Sequence, residues 1–256
     1  MKRSLGSCLI FLSVLTQSAC WVLSGDVDDA YGQYRHNAIR EPSGLTASRK
    51  QPGVFWTHND SGGGATIFAV KAKGDFIAEF AVKGAGSKDW EAITIDDKGR
   101  LYIADFGNNF NRRRDLAIYR IKEPAVDPTK RSRPGAVTVD MTIRFFYPEQ
   151  KGFPDRKAKN FDAEALFWAP EGELGVLFLL TKHRSDQRTV LYQLKIEDSN
   201  APQAARRMGQ FEVGGDPDFY GGQVTGAALS PDAHVAPRCK ELQTGNATHA
   251  GGIGSL

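Results

Sequence analysis

The sequence predicts an all-β protein of the β-propeller class, built from repeated sheets of short strands. A small or acidic residue followed by an aliphatic strand, a turn and a second apolar strand recurs four times, starting near residues 44, 92, 165 and 226. Such self-similarity at a long period is the sequence signature of repeat architectures. Beyond the N-terminal segment, no window longer than about ten residues keeps helical periodicity. The 27 glycines also suit a protein rich in β-turns.

The repeats predict the individual strands in chain order. First strands are predicted at residues 43–47, 91–95, 164–168 and 225–229, second strands at 54–57, 101–104 and 175–180, and third strands at 67–70, 118–121 and 191–196. A further strand at 75–82 alternates apolar and polar residues. Since propeller blades usually have about 40–50 residues, the wider spacing of the later repeats predicts insertions at 123–133 and 149–160. A β-sandwich with coincidental hairpins is the alternative.

The N-terminus predicts export. Lys2 and Arg3 precede an apolar stretch at residues 8–15, which is the pattern of a secretory signal and is too short to span a bilayer. We therefore expect a signal peptide at residues 1–19 and a linker at 20–41. The small residues before Cys20 resemble a bacterial lipoprotein cleavage box, although Gln17 stands where leucine is usual. A periplasmic or outer-membrane lipoprotein anchored through Cys20, a secreted protein cleaved near Ala19 and an uncleaved or unexported chain remain open.

Charge and cysteine content exclude several classes. The formal charge of +3 falls to +1 when Lys2 and Arg3 leave with the signal, so nothing favours nucleic acid as a partner. The basic runs at 112–114 and 130–133 are expected to be solvated loops. The three cysteines predict no disulfide framework, because Cys8 lies in the signal and Cys239 has no evident partner. A membrane contact is expected only through a lipid on Cys20.

Several segments form distinctive motifs: Ser-Gly-Leu at 43–45 with Trp-Thr-His-Asn-Asp-Ser-Gly at 56–62, Asp-Trp-Glu-Ala-Ile at 89–93 with the stretch 102–109, and Asp-Ala-Glu-Ala-Leu at 162–166. They resemble a family of bacterial exported β-propeller proteins that are mostly uncharacterised. The resemblance covers roughly residues 40–232 and extends more distantly to gluconolactonase and esterase-like phytase propellers. It implies a six-bladed architecture, incomplete here with about four blades at 42–232. It also implies acidic residues at the ring centre around a divalent cation. Residues 233–256 depart from the family and are expected to be a disordered tail.

The repeated positions predict a polar cluster, because the innermost strands of propeller blades line a common channel. Carboxylate and amide oxygens are the ligands of hard cations such as Ca2+. The candidate ligands of Ca2+ or another divalent cation are Asp60, Glu91, Asp105, Asn108 and Glu164. His58 and His183 end strands and are candidate general bases. The alternative is that the aspartates and asparagines only cap turns and join neighbouring blades.

Two functions are compatible with these residues. The first is a propeller of the cell envelope that binds a protein or a small-molecule ligand at its channel face without catalysis. The alternative is a divalent-cation-dependent hydrolase of the lactonase, esterase or phosphoesterase type. The sequence contains no phosphate-binding loop leading into a helix, no zinc-type cysteine and histidine spacing and no nucleophile elbow.

Overall fold

A computed structural model of the chain describes residues 32–156, 159–186, 188–198, 200–212, 223–229 and 235–239. Within these residues the protein is all-β, as the sequence predicts, and no helix occurs. Accordingly, no helix in the described part of the chain is suited to crossing a membrane. The predicted signal peptide at 1–19, Cys20 and most of the predicted linker lie outside the described residues.

Sixteen strands follow one another along the chain. They are β1 (Pro42–Ala47), β2 (Val54–Asn59), β3 (Thr66–Lys71), β4 (Phe76–Lys83), β5 (Trp90–Ile95), β6 (Arg100–Asp105), β7 (Ala117–Lys122), β8 (Gly135–Thr138), β9 (Met141–Phe146), β10 (Ala163–Ala169), β11 (Val176–Thr181), β12 (Arg188–Lys195), β13 (Gln203–Ala204), β14 (Arg206–Glu212), β15 (Val224–Leu229) and β16 (Val235–Cys239). The strands predicted from the repeats all form, within one to three residues of their expected bounds.

The same antiparallel order repeats in three sheets. The first is β1-β2-β3-β4, the second β5-β6-β7-β9 and the third β10-β11-β12-β14. A fourth, two-stranded sheet pairs β15 with β16. Strand β16 lies in the segment that was expected to be a disordered tail, so five residues of that segment differ from the expectation. Short glycine turns close the hairpins, as between β3 and β4, where Gly74 has a φ of +87° that other residues rarely adopt.

The connections before the fourth strands return to the preceding sheet. Strand β8 pairs in parallel with β4, at the outer edge of the first sheet, before the chain forms β9. Strand β13 likewise pairs in parallel with β9, at the outer edge of the second sheet, before the chain forms β14. These excursions account for part of the long repeat spacing that we attributed to insertions. They also cover two strand edges that would otherwise be open for pairing with other chains.

The sheets follow one another and pack face to face. Strand β1 lies beside β5, β5 beside β10, and β10 beside β15. One core cluster joins the first and second sheets and includes Trp56 and Ile103, while another joins the second and third and includes Tyr102 and Trp168. The second sheet therefore buries both faces, whereas each sheet of a two-layer sandwich keeps one face towards solvent. Trp56, Trp90 and Trp168 are all buried in these cores.

A β-bulge interrupts the first strand of every sheet at a corresponding place. The register shifts between Ser43 and Leu45, between Trp90 and Ala92, and between Ala163 and Ala165. A similar shift occurs in β15. The extra residue in a bulge is unpaired and its side chain points in a new direction. The bulge residues are Gly44, Glu91 and Glu164, so Glu91 and Glu164 occupy equivalent positions, as the repeats predict.

Gly44 offers a test of the contact between β1 and β5. It has a φ of +61°, and an added Cβ would stand 2.8 Å from the backbone nitrogen of Ile93. We expect Gly44→Ala to lower the free energy of unfolding by about 3 kcal/mol, because backbone strain and overlap with β5 combine. Gly53 is the matched control, since its φ is +80° but nothing lies within 4 Å of an added Cβ.

Urea denaturation of both variants separates the two effects. Gly53→Ala should lose only about 1 kcal/mol, from strain alone. Equal losses in the two variants would show that β1 and β5 are not in close contact.

Candidate functional site

Five carboxylates converge where the first strands begin. Oxygen atoms of Asp60, Asp89 and Glu91 lie within 4.8 Å of one another, and so do those of Glu91, Asp162 and Glu164. We call these five residues the acidic cluster. Asp60 follows β2, Asp89 and Glu91 stand at the start of β5, and Asp162 and Glu164 stand at the start of β10. Glu91 belongs to both groups and is the centre of the cluster.

Glu91 is the most unusual member of the acidic cluster. Its side chain is 4% exposed. Its backbone carbonyl accepts a hydrogen bond from Ser43 Oγ at 3.0 Å, and no side-chain hydrogen bond of its carboxylate is found among the described residues. Burial raises the pKa of Glu91 well above its ordinary value, and Glu164, Asp60, Asp162 and Asp89 raise it further. A buried carboxylate without a donor is costly unless a proton or a cation neutralises it.

Glu164 has a cationic partner. Lys182, which follows β11, places its Nζ 2.9 Å from Glu164 Oε1. Burial and the neighbouring Asp162 nevertheless raise the pKa of Glu164 to about 7, and Lys182 offsets only part of this rise. Glu164 is therefore partly neutralised by a side chain of the protein, whereas Glu91 is not.

Asp162 joins two sheets. Its Oδ1 accepts a hydrogen bond of 2.6 Å from the backbone amide of Asn108, and its Oδ2 lies 2.8 Å from Arg184 Nη2. Asp162 therefore connects the start of β10 to the loop after β6, which is the kind of structural contact that the alternative reading expects. Both oxygens have partners in the protein, which makes Asp162 a weaker candidate ligand than Glu91.

Asp60 and Asp89 form the accessible side of the cluster, since both are only half-buried. Burial raises the pKa of Asp89 to about 6, and the charges of Asp60 and Asp162 contribute to the rise. Burial likewise raises the pKa of Asp60 above its ordinary value. Asp60, Asp89 and Glu91 therefore form an open triad of oxygen donors with a strong tendency to bind a proton or a cation.

Asp105, a predicted ligand, lies outside the acidic cluster. Its carboxylate accepts hydrogen bonds from the backbone amides of Lys88 and Asp89, and it lies 2.8 Å from Arg113 Nη2. The structure therefore gives Asp105 a structural role, because these contacts use both of its oxygens to hold the segment that carries Asp89.

Asn108, the other predicted ligand from this loop, is also engaged. Its Oδ1 accepts from the amides of Arg112 and Arg113 at 2.9 Å, and its Nδ2 donates to the carbonyl of Phe161 at 3.0 Å. Asp89 and Asp162 occupy the places in the cluster that we assigned to Asp105 and Asn108. The repeated spacing Asp-x-Glu, at 89–91 and at 162–164, is the sequence signal that identifies them.

The two predicted histidine bases are not placed for catalysis. His58 is completely buried against Trp90, and burial lowers its pKa to about 4. His183 is also buried, its Nδ1 lies 2.8 Å from Asp186 Oδ1, and burial lowers its pKa. A general base must reach the proton that it removes. His58 has no exposed surface, and the carboxylate partner of His183 lies outside the acidic cluster, so the contacts of both residues support structural roles.

A cavity of about 690 Å3 opens beside the acidic cluster. Its lining combines charged, amide and aromatic side chains: Ser61, Lys88, Asp89, Asn108, Asn109, Phe110, Arg112, Arg113, Arg114 and Asp115. Asp89 belongs both to this lining and to the acidic cluster. A small molecule in the cavity would therefore meet the open triad through Asp89.

A scan against protein-family models finds no match for the chain, and a search of curated proteins finds no similar sequence. What the residues support is an all-β protein with buried acidic groups that can hold a metal ion. A more particular assignment depends on the geometry of the cavity and the cluster.

Proposed function

We propose that this protein is an exported β-propeller that binds a small-molecule ligand at its channel face through a divalent cation. The propeller arrangement is supported by the repeated four-stranded order and by the side-by-side packing of β1, β5, β10 and β15. Export is supported by the signal-like N-terminus, with Cys20 as a lipid anchor in the periplasm or at the outer membrane. The resemblance to exported bacterial propellers points the same way.

Glu91 is the observation on which the cation rests. It is buried, its carboxylate has no hydrogen-bond donor among the described residues, and it faces two other acidic groups on each side. Several like charges in a dry site are unfavourable in the absence of a counter-charge. Because Lys182 already partners Glu164, the cation belongs in the open triad of Asp60, Asp89 and Glu91.

Calcium is the ion that we assign to the triad. Its ligands are hard oxygen donors, and Ca2+ accepts irregular sets of carboxylates together with water or ligand oxygens. Asp60 and Asp89 are half-buried, so coordination positions on their side remain open to water or to a ligand in the cavity. The cavity volume of about 690 Å3 matches the usual size of small-molecule sites.

The geometry favours binding over hydrolysis. The hydrolase alternative depended on His58 or His183 as the base, but His58 is completely buried and His183 contacts Asp186, which lies outside the acidic cluster. A small-molecule ligand is also better supported than a protein partner, because the acidic triad is reached through a concave cavity. The proposed function is therefore ligand binding without catalysis.

Isothermal titration calorimetry with calcium chloride tests the proposal. We expect one calcium ion to bind the wild type and binding to be lost in Glu91→Gln, since the variant removes the central oxygen charge. Asp115→Asn is the matched control, because Asp115 lines the same cavity but lies outside the acidic cluster. The control should keep its calcium affinity within about twofold. A wild type that binds neither calcium nor magnesium would overturn the proposed cation.

A further inference from the structure

The cavity beside the acidic cluster has a basic wall. Four cationic side chains line it, against the two carboxylates of Asp89 and Asp115. Three of the four belong to the basic run 112–114, which the sequence led us to regard as a solvated loop. Such an excess of cationic groups in a concave site attracts anions.

Two of these cations are already neutralised by the protein. Arg113 lies 2.8 Å from Asp105 and donates to the carbonyl of Gly107 at 2.9 Å. Lys88 forms an ion pair with Asp115. These contacts hold the walls of the cavity together, so Arg113 and Lys88 contribute more to its shape than to ligand binding.

Arg112 and Arg114 are different. Neither forms an ion pair with a carboxylate among the residues that the structure describes. The Arg112 guanidinium lies 5.1 Å from the ring centroid of Phe110, and that of Arg114 lies 3.7 Å from the ring centroid of Phe153. A cation–π contact orients a guanidinium without cancelling its charge. Both side chains therefore offer free N–H donors to an anion.

Hydrogen bonds of two buried asparagines fix the loop that carries these arginines. Asn108 accepts hydrogen bonds from the backbone amides of Arg112 and Arg113. The next buried asparagine, Asn111, accepts from the amide of Phe161 at 2.8 Å, and its carbonyl accepts from Gln150 Nε2 at 2.7 Å. The basic run therefore lies on a loop that buried asparagines hold through hydrogen bonds, unlike a mobile surface segment. Its arginines are presented at a defined place on the wall.

We propose that this cavity binds a small organic anion, whose carboxylate or phosphate group lies between Arg112 and Arg114 and reaches the cation held by Asp60, Asp89 and Glu91. The proposal rests on the cation site described above, because the ionised cluster alone repels an anion. Phe110 is 70% exposed at the cavity and provides an apolar surface for the body of the ligand. Arginine suits planar carboxylate and phosphate groups because its donors form a rigid fork.

Calorimetry with two probes tests this proposal. Phenyl phosphate and benzoate are titrated separately into the protein, with and without saturating calcium chloride, and the two arms distinguish a phosphate from a carboxylate ligand. We expect at least one probe to bind, and to bind more tightly when calcium is present. Because such coupling is reciprocal, the same probe should tighten calcium binding by the same factor.

A double variant, Arg112→Gln with Arg114→Gln, identifies the site. Its affinity for the probe should fall at least about tenfold, while its calcium affinity remains. Arg131→Gln with Arg133→Gln is the matched control, since it removes the same charge from another exposed basic run. The control should bind the probe like the wild type.

The outcomes separate the two proposals. Calcium binding without binding of either probe would overturn the anion site and leave the proposed cation intact. Probe binding that the Arg112 and Arg114 substitutions do not weaken would also overturn it. Probe binding that calcium does not strengthen would overturn the link to the cation, and absence of calcium binding would overturn the proposed function itself.

Discussion

Glu91→Gln is expected to unfold at a higher temperature than the wild type when divalent cations are absent. Without a cation, the folded wild type must either keep Glu91 protonated above the ordinary pKa of a glutamate or carry a buried charge among other carboxylates. The neutral amide avoids both costs and can donate to neighbouring carboxylates, which should stabilise the protein by about 2 kcal/mol. For a domain of this size that corresponds to roughly 4–8 °C.

Calcium should make the wild type more stable than Glu91→Gln. At a calcium concentration about one hundred times the dissociation constant, a single site stabilises the folded wild type by about 2.7 kcal/mol. Glu91→Gln should gain almost nothing, because the remaining members of the triad lack the central ligand. Differential scanning calorimetry with calcium and with a chelator measures both effects.

Asp115→Asn provides the control for this pair of measurements. Asp115 is exposed and its partners Lys88 and Arg113 are partly solvated, so its loss should change stability by less than about 1 kcal/mol in either condition. If Glu91→Gln destabilised the cation-free protein instead, Glu91 would have to be an ion-pair partner that supports the fold. The acidic cluster would then have no need of a cation.

The second large effect is a loss of stability of the cation-free protein between about pH 6.5 and pH 8. The pKa of Glu164 is raised to about 7 and that of Glu91 is raised well above its ordinary value. The folded state therefore binds more protons than the unfolded state in this range. Stability from such groups is present below the unfolded pKa and is lost as the pH rises through the folded pKa.

Other titratable groups change the stability of the protein mainly at lower pH. Burial lowers the pKa of His58 to about 4 from an ordinary value of 6.5. The stability that His58 contributes therefore increases between about pH 4 and pH 6.5, and in this range it opposes the loss from the carboxylates. The pKa values of Asp127 and Asp186 are lowered to about 2, so their contributions change below about pH 4. Above about pH 6.5 the two glutamates dominate, and the loss should be on the order of 2 kcal/mol by pH 8.

Urea denaturation at several pH values checks this second effect. Calcium should reduce the loss, because its ligand Glu91 is ionised when the ion is bound. Glu91→Gln should make the pH dependence shallower, whereas Asp115→Asn should leave it unchanged. Stability that increases between pH 6.5 and pH 8 without calcium would contradict the raised pKa values of the cluster.

The strands were the most predictable part of this protein. Short apolar runs such as 54–57 and 101–104, bounded by glycine and aspartate turns, indicate strands because side-chain alternation and turn chemistry are local properties. The fourth strands of the second and third sheets were missed, although Met141–Phe146 buries Ile143 and Phe145 while exposing Arg144 and Phe146. The alternation is visible in the sequence. However, β8 is inserted between β7 and β9, so a search for repeats of fixed length does not find the fourth strand at its expected distance.

The candidate site was predictable only in part. Glu91 and Glu164 were identified because their repeats are equivalent, and the bulges in β5 and β10 place them at matching positions. Asp105 and Asn108 were chosen because they have the right side-chain chemistry. Whether an oxygen is free for a ligand depends on its neighbours, and the partners of Asp105 and Asn108 include residues that lie far apart in the sequence.

The amino-acid sequence by itself determined the all-β class, the positions of most strands and the equivalence of Glu91 and Glu164, since each depends on periodicity or on turn residues within a short window. Only the tertiary structure decided which polar groups are free and which are engaged. In the structure His58 is buried, Asp162 contacts Asn108 and Arg184, and the Glu91 carboxylate has no donor among the described residues. The physical reason is that burial and hydrogen-bond partners come from strands distant in sequence, and these set the charge that a buried carboxylate can carry.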